Sequence, residues 1–260
     1  DRWKKFLDRL AAQTGPCKIC VVGAGAAGVE LILSIQFRLK KMFEELGRNS
    51  EELSYHLVSK SEQIMPSFPS AVADRFDTIL HERGVIVHRG VEATEACDDK
   101  LILSNGDHLD ADETFFVTAA SATPWLTESG FDVDENGFVK VNDTLELLSH
   151  PNIFAAGDVA AVVNHPRPKA GVFAVRQGKP LANNLRRVLL QKKPKSFSPQ
   201  SSFLSLISSG DKYAVASKGI YTVSGKLLWW WKDWIDRRFM RKFSVLPLSL
   251  IHISEPTRPC

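Results

Sequence analysis

Residues 18–30 read KICVVGAGAAGVE. An apolar strand ends at Val22, glycines follow at 23, 25 and 28, and a run with helical spacing then begins. Each glycine answers a separate demand: Gly23 permits the tight turn, Gly25 leaves backbone open to a pyrophosphate, and Gly28 lets helix lie close on strand. Ala26 opens the helix, whose unpaired N–H groups and positive dipole end suit phosphate. The plainer alternative is a glycine-rich turn in an α/β protein that binds nothing.

Residues 26–46 have a helical pattern with Leu31, Ile35, Leu39, Met42 and Leu46 on one side, and the polar stretch 47–52 ends it. SYHLVS (54–59) is the second strand. Its end is where an NAD-binding unit places an acid for the ribose hydroxyls, and here Ser59 and Lys60 occupy that place. A hydroxyl and an ammonium bind a 2′-phosphate that an acid would repel, which tilts the cofactor toward NADP. Lys60 equally reads as a solvated surface lysine, and Glu62 can still serve NAD.

A second amphipathic helix spans 69–84 through Val72, Phe76, Ile79 and Leu80, followed by a strand at 85–88. Short alternating runs over 91–109 carry the hairpin signal Asn105-Gly106, and ETFFVT (113–118) returns as a buried strand. The expectation is one nucleotide-binding domain, residues 15–120, entered by a lead-in helix over 1–14.

The 260 residues suffice for one or two domains. A net charge of +3 with 24% charged residues argues against a nucleic-acid binder. No apolar run spans a bilayer, and four scattered cysteines give no disulfide framework, so the expected location is cytoplasmic. Cys17 and Cys20 form a Cys-x-x-Cys that reads as core packing before redox chemistry, since in a strand the two side chains point to opposite faces. His56, His81, His88 and His165 lack ligand spacing, so no metal site is expected. Residues 248–258 look like the translation of a sequencing adapter, and 248–260 are expected to be a read-through artefact on a piece of a longer protein.

Residues 23–30, the meander and above all NIFAAGDVA (152–160) resemble the pyridine nucleotide-disulfide oxidoreductase superfamily of two-dinucleotide flavoproteins. KAGVFAVRQGKPLANNL (169–185), FLSLISSGDKYAVASKG (203–219) and WWWKDWIDRRFMRKF (229–243) resemble more narrowly the type II NADH dehydrogenase-like module fused ahead of selenide, water dikinase. The resemblance implies an α/β fold: a Rossmann-like NAD(P) domain with a β-meander, inserted in an incomplete FAD domain whose second half is 121–195. A small α+β part, 196–247, follows. It implies FAD as prosthetic group, NAD(P)H as hydride donor, an unidentified electron acceptor and a selenide, water dikinase partner.

By the same resemblance, Asp158 after Gly157 binds the flavin ribityl chain, Thr118 and Ala119 lie in a flavin-facing block, and Glu30 lies near the nicotinamide. Asp158 also reads as a simple N-cap and Glu30 as an acid favoured by the helix dipole. The family's first glycine motif is expected before Asp1. Where membrane-bound type II NADH dehydrogenases carry two quinone-pocket glutamines, Val172 and Arg176 stand here, which argues against quinone reduction. Arg176 and Lys169 then face an anionic acceptor or the reduced flavin, or in Arg176's case only solvent.

A hairpin turning at Gly210-Asp211, a second turn at Ser224-Gly225 and a basic Trp-rich helix over 227–243 are expected next. That helix, with Leu228, Trp231, Ile235, Phe239 and Phe243 on one face, suits packing on protein before a membrane interface. Two alternatives to an FAD-dependent NAD(P)H oxidoreductase with an unidentified acceptor stand: a non-catalytic NAD(P)-binding regulatory module, and a peripheral membrane NADH:quinone reductase.

Overall fold

The computed structural model describes residues 2–12, 14–97 and 99–244. The proposed adapter residues 248–260 lie outside them. Two compact units divide the chain, one of residues 1–116 with 204–260 and one of 117–203.

The first unit opens with α1 (Arg2–Ala12), then β1 (Cys17–Val22), α2 (Ala26–Glu45), β2 (Leu53–Val58), α3 (Ser70–Glu82) and β3 (Val85–His88). A meander of β4 (Ala93–Ala96), β5 (Lys100–Leu103) and β6 (His108–Asp110) precedes β7 (Glu113–Phe116). The main sheet is parallel in the order β3-β2-β1-β7, which is the mononucleotide-binding arrangement. Burial on both faces explains why β1 and β2 read as apolar runs. One face receives α2 and α3. On the other, Cys20, Val22 and Val58 form a core with meander residues Leu101, Leu103 and Leu109.

The inward face of α2 differs from the expected one. Val29, Ile32, Leu33, Ile35, Gln36, Leu39 and Phe43 are buried, while Leu46 is exposed and Leu31 and Met42 are only half-buried. Gly28 sets this phase: its contact with the turn below points 32, 35–36, 39 and 43 inward. Cys17 and Cys20 are buried free thiols, pushed up to about 11 and about 12 chiefly by burial, as packing residues should be.

The chain re-enters this unit with β10 (Ser205–Ser208), β11 (Ala214–Lys218), β12 (Tyr221–Gly225) and α6 (Lys226–Ser244). The three strands form an antiparallel sheet that packs on α2 and carries α6. The expected turn at Ser224-Gly225 lies instead at Gly219-Ile220, because β12 runs on to Gly225 before α6 starts. The inner face of α6 also differs. Leu228, Trp229, Lys232, Asp233, Ile235 and Phe239 are half-buried, whereas Leu227, Trp230, Trp231, Trp234 and Phe243 are exposed.

The second unit contains α4 (Trp125–Glu128), β8 (Val139–Val141), β9 (Ala160–Val162) and α5 (Gly171–Leu189). Its core gathers Leu126, Val139, Val141, Leu145, Leu147, Ala160 and Val162. β7 ends at Phe116, two residues short of expectation, and Thr118 and Ala119 are exposed coil.

Candidate dinucleotide and flavin half-sites

The turn between β1 and α2 is built as its glycines require. Gly23 takes a φ of +112° and donates its N–H to the Val58 carbonyl at 2.9 Å, tying the turn to β2. A Cβ on Gly28 would stand 1.8 Å from the Gly23 carbonyl oxygen, so only hydrogen fits. Gly25 is the contrast. Its backbone (φ −74°, ψ −179°) suits any residue, and a Cβ there would meet nothing within 4 Å. What glycine supplies at 25 is therefore open space above the first turn of α2. No side chain caps that turn and no acid lies in it, leaving the amides of Ala26 and its neighbours for an outside acceptor. These residues fit a pyrophosphate.

The loop after β2 supports the turn in a way the sequence does not announce. The N–H of Met65 donates to the Ala24 carbonyl at 2.8 Å, with Ile64 and Met65 both buried. Ser59 is buried and its hydroxyl donates to the Ser61 carbonyl at 2.7 Å. Lys60 is exposed and pairs with Glu92 at 2.9 Å. Glu62 rests its carboxylate where a Cβ of Gly90 would lie.

Glu30 falls beyond the first turn of α2, so it is no first-turn dipole acid. Its Oε1 accepts the Ser208 N–H at 2.6 Å and stands 3.6 Å from Lys232 Nζ. Burial pushes its carboxyl above the usual range, against the pull of the Ser208 N–H and Lys232.

In the second unit a cavity of about 470 Å³ is lined by Asp134, Phe138, Asp158, Lys169, Phe173 and Gln177, among others. Asp158 lies within a single 3₁₀ turn, Gly157–Val159, that precedes β9, instead of joining a strand to a helix start. That turn's N-cap is Ala156, so Asp158 is not an N-cap either. The buried Gln177 accepts the Gly157 N–H at 2.6 Å and so orients the turn that carries Asp158, a role without a sequence signal of its own. Lys169 donates to the Ala160 carbonyl at 2.8 Å and lies 4.0 Å over the Phe138 ring. Burial lowers its pKa, with Asp134 and Asp158 opposing. An exposed carboxylate and a half-buried ammonium beside an aromatic wall fit a large polar ring system with a hydroxylated chain. Thr118 and Ala119 do not line this cavity, and Arg176 is exposed and bonds Gln200 at 2.7 Å.

Residues 7–178 match the family model described as pyridine nucleotide-disulphide oxidoreductase. The chain belongs to this family. Among relatives, a probable NADH dehydrogenase of Dictyostelium discoideum is 26% identical over 213 residues, covering 79% of this chain and 46% of its own length. The type II NADH:quinone oxidoreductase of Staphylococcus aureus is 24% identical over 197 residues, covering 73% and 48%. This member of the family thus spans about half the length of the curated relatives it matches. In fold it is similar to the sulfide:quinone oxidoreductase of Aquifex aeolicus, with a TM-score of 0.71 at 20% identity, over 92% of this chain and 60% of that one. It is also similar to NDH2 of Plasmodium falciparum in complex with NADH, with a TM-score of 0.62 at 14% identity, over 82% and 60%. Among the described residues, no group of three or more His, Cys, Asp or Glu is placed to hold a metal, and no helix is long and apolar enough to cross a membrane.

Proposed function

We propose that the whole protein is an FAD-dependent NAD(P)H oxidoreductase and that this chain supplies its pyridine-nucleotide site and part of its flavin site. The observation that carries the reading is the contrast between the two glycines: position 28 cannot hold a Cβ, whereas position 25 can hold one and yet keeps the α2 amides clear. Gly23, Gly25, Ala26 and Gly28 would seat the pyrophosphate, with Ser59 and Lys60 at the ribose end. Glu30 would serve the nicotinamide side. Asp158, on the turn oriented by Gln177, would accept hydroxyls of the flavin side chain, and Lys169 would face the ring. Thr118 and Ala119 would face the flavin, on the resemblance of their block. Bound flavin supplies the hydride-accepting chemistry; the chain's own residues bind, orient and neutralise.

The test is titration with NADH and NADPH, followed by nicotinamide fluorescence. Binding by the wild-type chain that is lost in Gly25→Ala, with unchanged circular dichroism, supports the reading; binding of neither coenzyme refutes it. The same titrations decide between NAD and NADP: Lys60→Glu should weaken NADPH more than NADH.

A second reading, peripheral attachment to a membrane, is favoured by α6. Leu227, Trp230, Trp231, Trp234, Arg238 and Arg241 share one outward stripe without an acid, the three tryptophans about half exposed. Co-sedimentation with vesicles of mixed phosphatidylcholine and phosphatidylglycerol, lost on replacing the three tryptophans with serine, would support it. Reoxidation of the reduced flavin by a quinone, the acceptor class in the name of the Staphylococcus aureus relative, tests that acceptor. A selenide, water dikinase partner rests on the resemblance of 169–185, 203–219 and 229–243, and co-purification with that enzyme tests it.

A further inference from the structure

Glu30 is four residues past Ala26, which places its Cα ~6 Å along the axis from the start of the phosphate-binding turn. Its carboxylate does not lie free on that flank. It is met by the sheet and helix formed by 205–244, through the Ser208 N–H at 2.6 Å and Lys232 Nζ at 3.6 Å. Lys232 is held in turn by Asp236 at 2.9 Å. Together with Ala27, Ser34, Trp229 and Asp233 these groups line an open groove of about 440 Å³. Among the described residues, the charged groups facing Glu30 in this groove come from α6: Lys232, Asp233 and Asp236. β10 contributes the Ser208 amide, and the other α2 residues in the groove, Ala27, Leu31 and Ser34, are uncharged.

The seating of this cap on α2 has little slack. A Cβ on Gly210 would stand 2.6 Å from the Leu33 carbonyl oxygen. Arg83 donates to the Ser209 carbonyl and pairs with Asp211, both at 2.6 Å. Arg75 donates to the Tyr213 hydroxyl at 3.0 Å. With β10 and α6 so fixed, the ammonium of Lys232 is delivered to Glu30 by the tertiary structure and not by chance side-chain reach.

We propose that Lys232 is a positioning residue of the pyridine-nucleotide site: with the Ser208 amide it holds and neutralises Glu30, so that an anionic dinucleotide meets the first-turn amides of α2 without a bare carboxylate behind them. The proposal rests on the NAD(P)-binding reading above. It makes the C-terminal sheet and helix a working part of that site. Burial raises the Glu30 carboxyl, and the Ser208 N–H and then Lys232 pull against it in part. Burial lowers Lys232, but Asp236 and Glu30 outweigh it and keep the amine above its ordinary value.

The experiment is a pH series, from 6 to 8.5, of NADH and NADPH titrations on the wild-type chain, Lys232→Met, Lys232→Arg and the double variant Glu30→Gln/Lys232→Met. A carboxylate left bare about one helical turn along α2 from the pyrophosphate seat should weaken binding about fivefold at high pH. The defect of Lys232→Met should shrink as the pH falls and Glu30 takes up a proton. Lys232→Arg should follow the wild type at every pH, and the double variant should bind better than Lys232→Met at pH 8.5 and show no dependence on pH, whatever constant loss the removal of Glu30 itself brings. A purely architectural lysine predicts a loss that is equal at all pH values and is not rescued by Glu30→Gln; that result, or a Lys232→Met profile lying on the wild type, overturns the proposal. If the wild type binds neither coenzyme, the nucleotide reading falls and takes this one with it.

Discussion

Replacing Gly28 with alanine puts a methyl carbon 1.8 Å from the Gly23 carbonyl oxygen, 3.0 Å from the Gly23 carbonyl carbon and 3.6 Å from Val21 Cγ1. The obstacle is backbone, so no rotamer change relieves it. A carbon and an oxygen need ~3.3 Å, and α2 must lift from the sheet by more than about 1 Å; a gap of that size forfeits about half or more of each contact's attraction. The side chains that lose contact include Val29, Ile32, Leu33 and Phe43, all of them buried. Overpacking of this kind costs ~1–3 kcal/mol and occasionally more, whereas exchanging glycine for alanine in a helix returns at most ~1 kcal/mol. The expected outcome is a loss of ~2 kcal/mol in urea unfolding followed by circular dichroism, with unchanged m-value. Gly25→Ala is the control. Its backbone is unstrained and its Cβ free, so stability should stay within ~0.5 kcal/mol of wild type or rise slightly through the unfolded chain. Nucleotide affinity should nevertheless fall tenfold or more. A Gly28→Ala variant as stable as wild type would refute the packing argument, and a Gly25→Ala variant that binds normally would refute the pyrophosphate seat.

Other outcomes follow from the same geometry. His56 Nδ1 and His88 Nε2 lie 3.0 Å apart, and burial, then the neighbouring His88 and Lys18, pull His56 down from 6.5 to about 4. The folded state therefore binds fewer protons than the unfolded chain. Stability should be complete above pH 6.5 and decline toward pH 4 by up to ~3 kcal/mol, a slope that His56→Gln should flatten in urea midpoints compared at pH 7 and 5. Gly210 holds a φ of +85° against the α2 backbone, so Gly210→Ala should cost ~2 kcal/mol or more and raise amide exchange in 205–218. Gln177→Leu leaves the Gly157 N–H without its acceptor, which should cost ~1–3 kcal/mol and weaken flavin binding together with Asp158→Ala, read by flavin fluorescence in the full-length protein.

Much of the first unit was legible because local rules and tertiary packing agree there. β1, β3, α3 and the Asn105-Gly106 hairpin fall where the patterns put them, since alternation, helical spacing and a turn pair act over a few residues. The inward faces of α2 and α6 were misjudged for one reason. Both helices have more apolar residues than one stripe holds, and a distant contact chose among them: Gly28 on the turn in one case, the β10–β12 sheet in the other. The buttress from Met65 to Ala24, the hold of Gln177 on Gly157 and the engagement of Glu30 by Ser208 have no spacing to betray them, their partners lying 41, 20 and 178 residues away.

By itself the amino-acid sequence determined that a strand, a glycine turn and a helix would offer backbone amides to a phosphate, because glycine's missing Cβ acts on the residues next to it. Only the tertiary structure decided which of those glycines is sterically compelled, which helix faces are buried and what charge stands beside Glu30. Those depend on atoms brought together from far apart in the chain, where position in space and not order along it sets the energy.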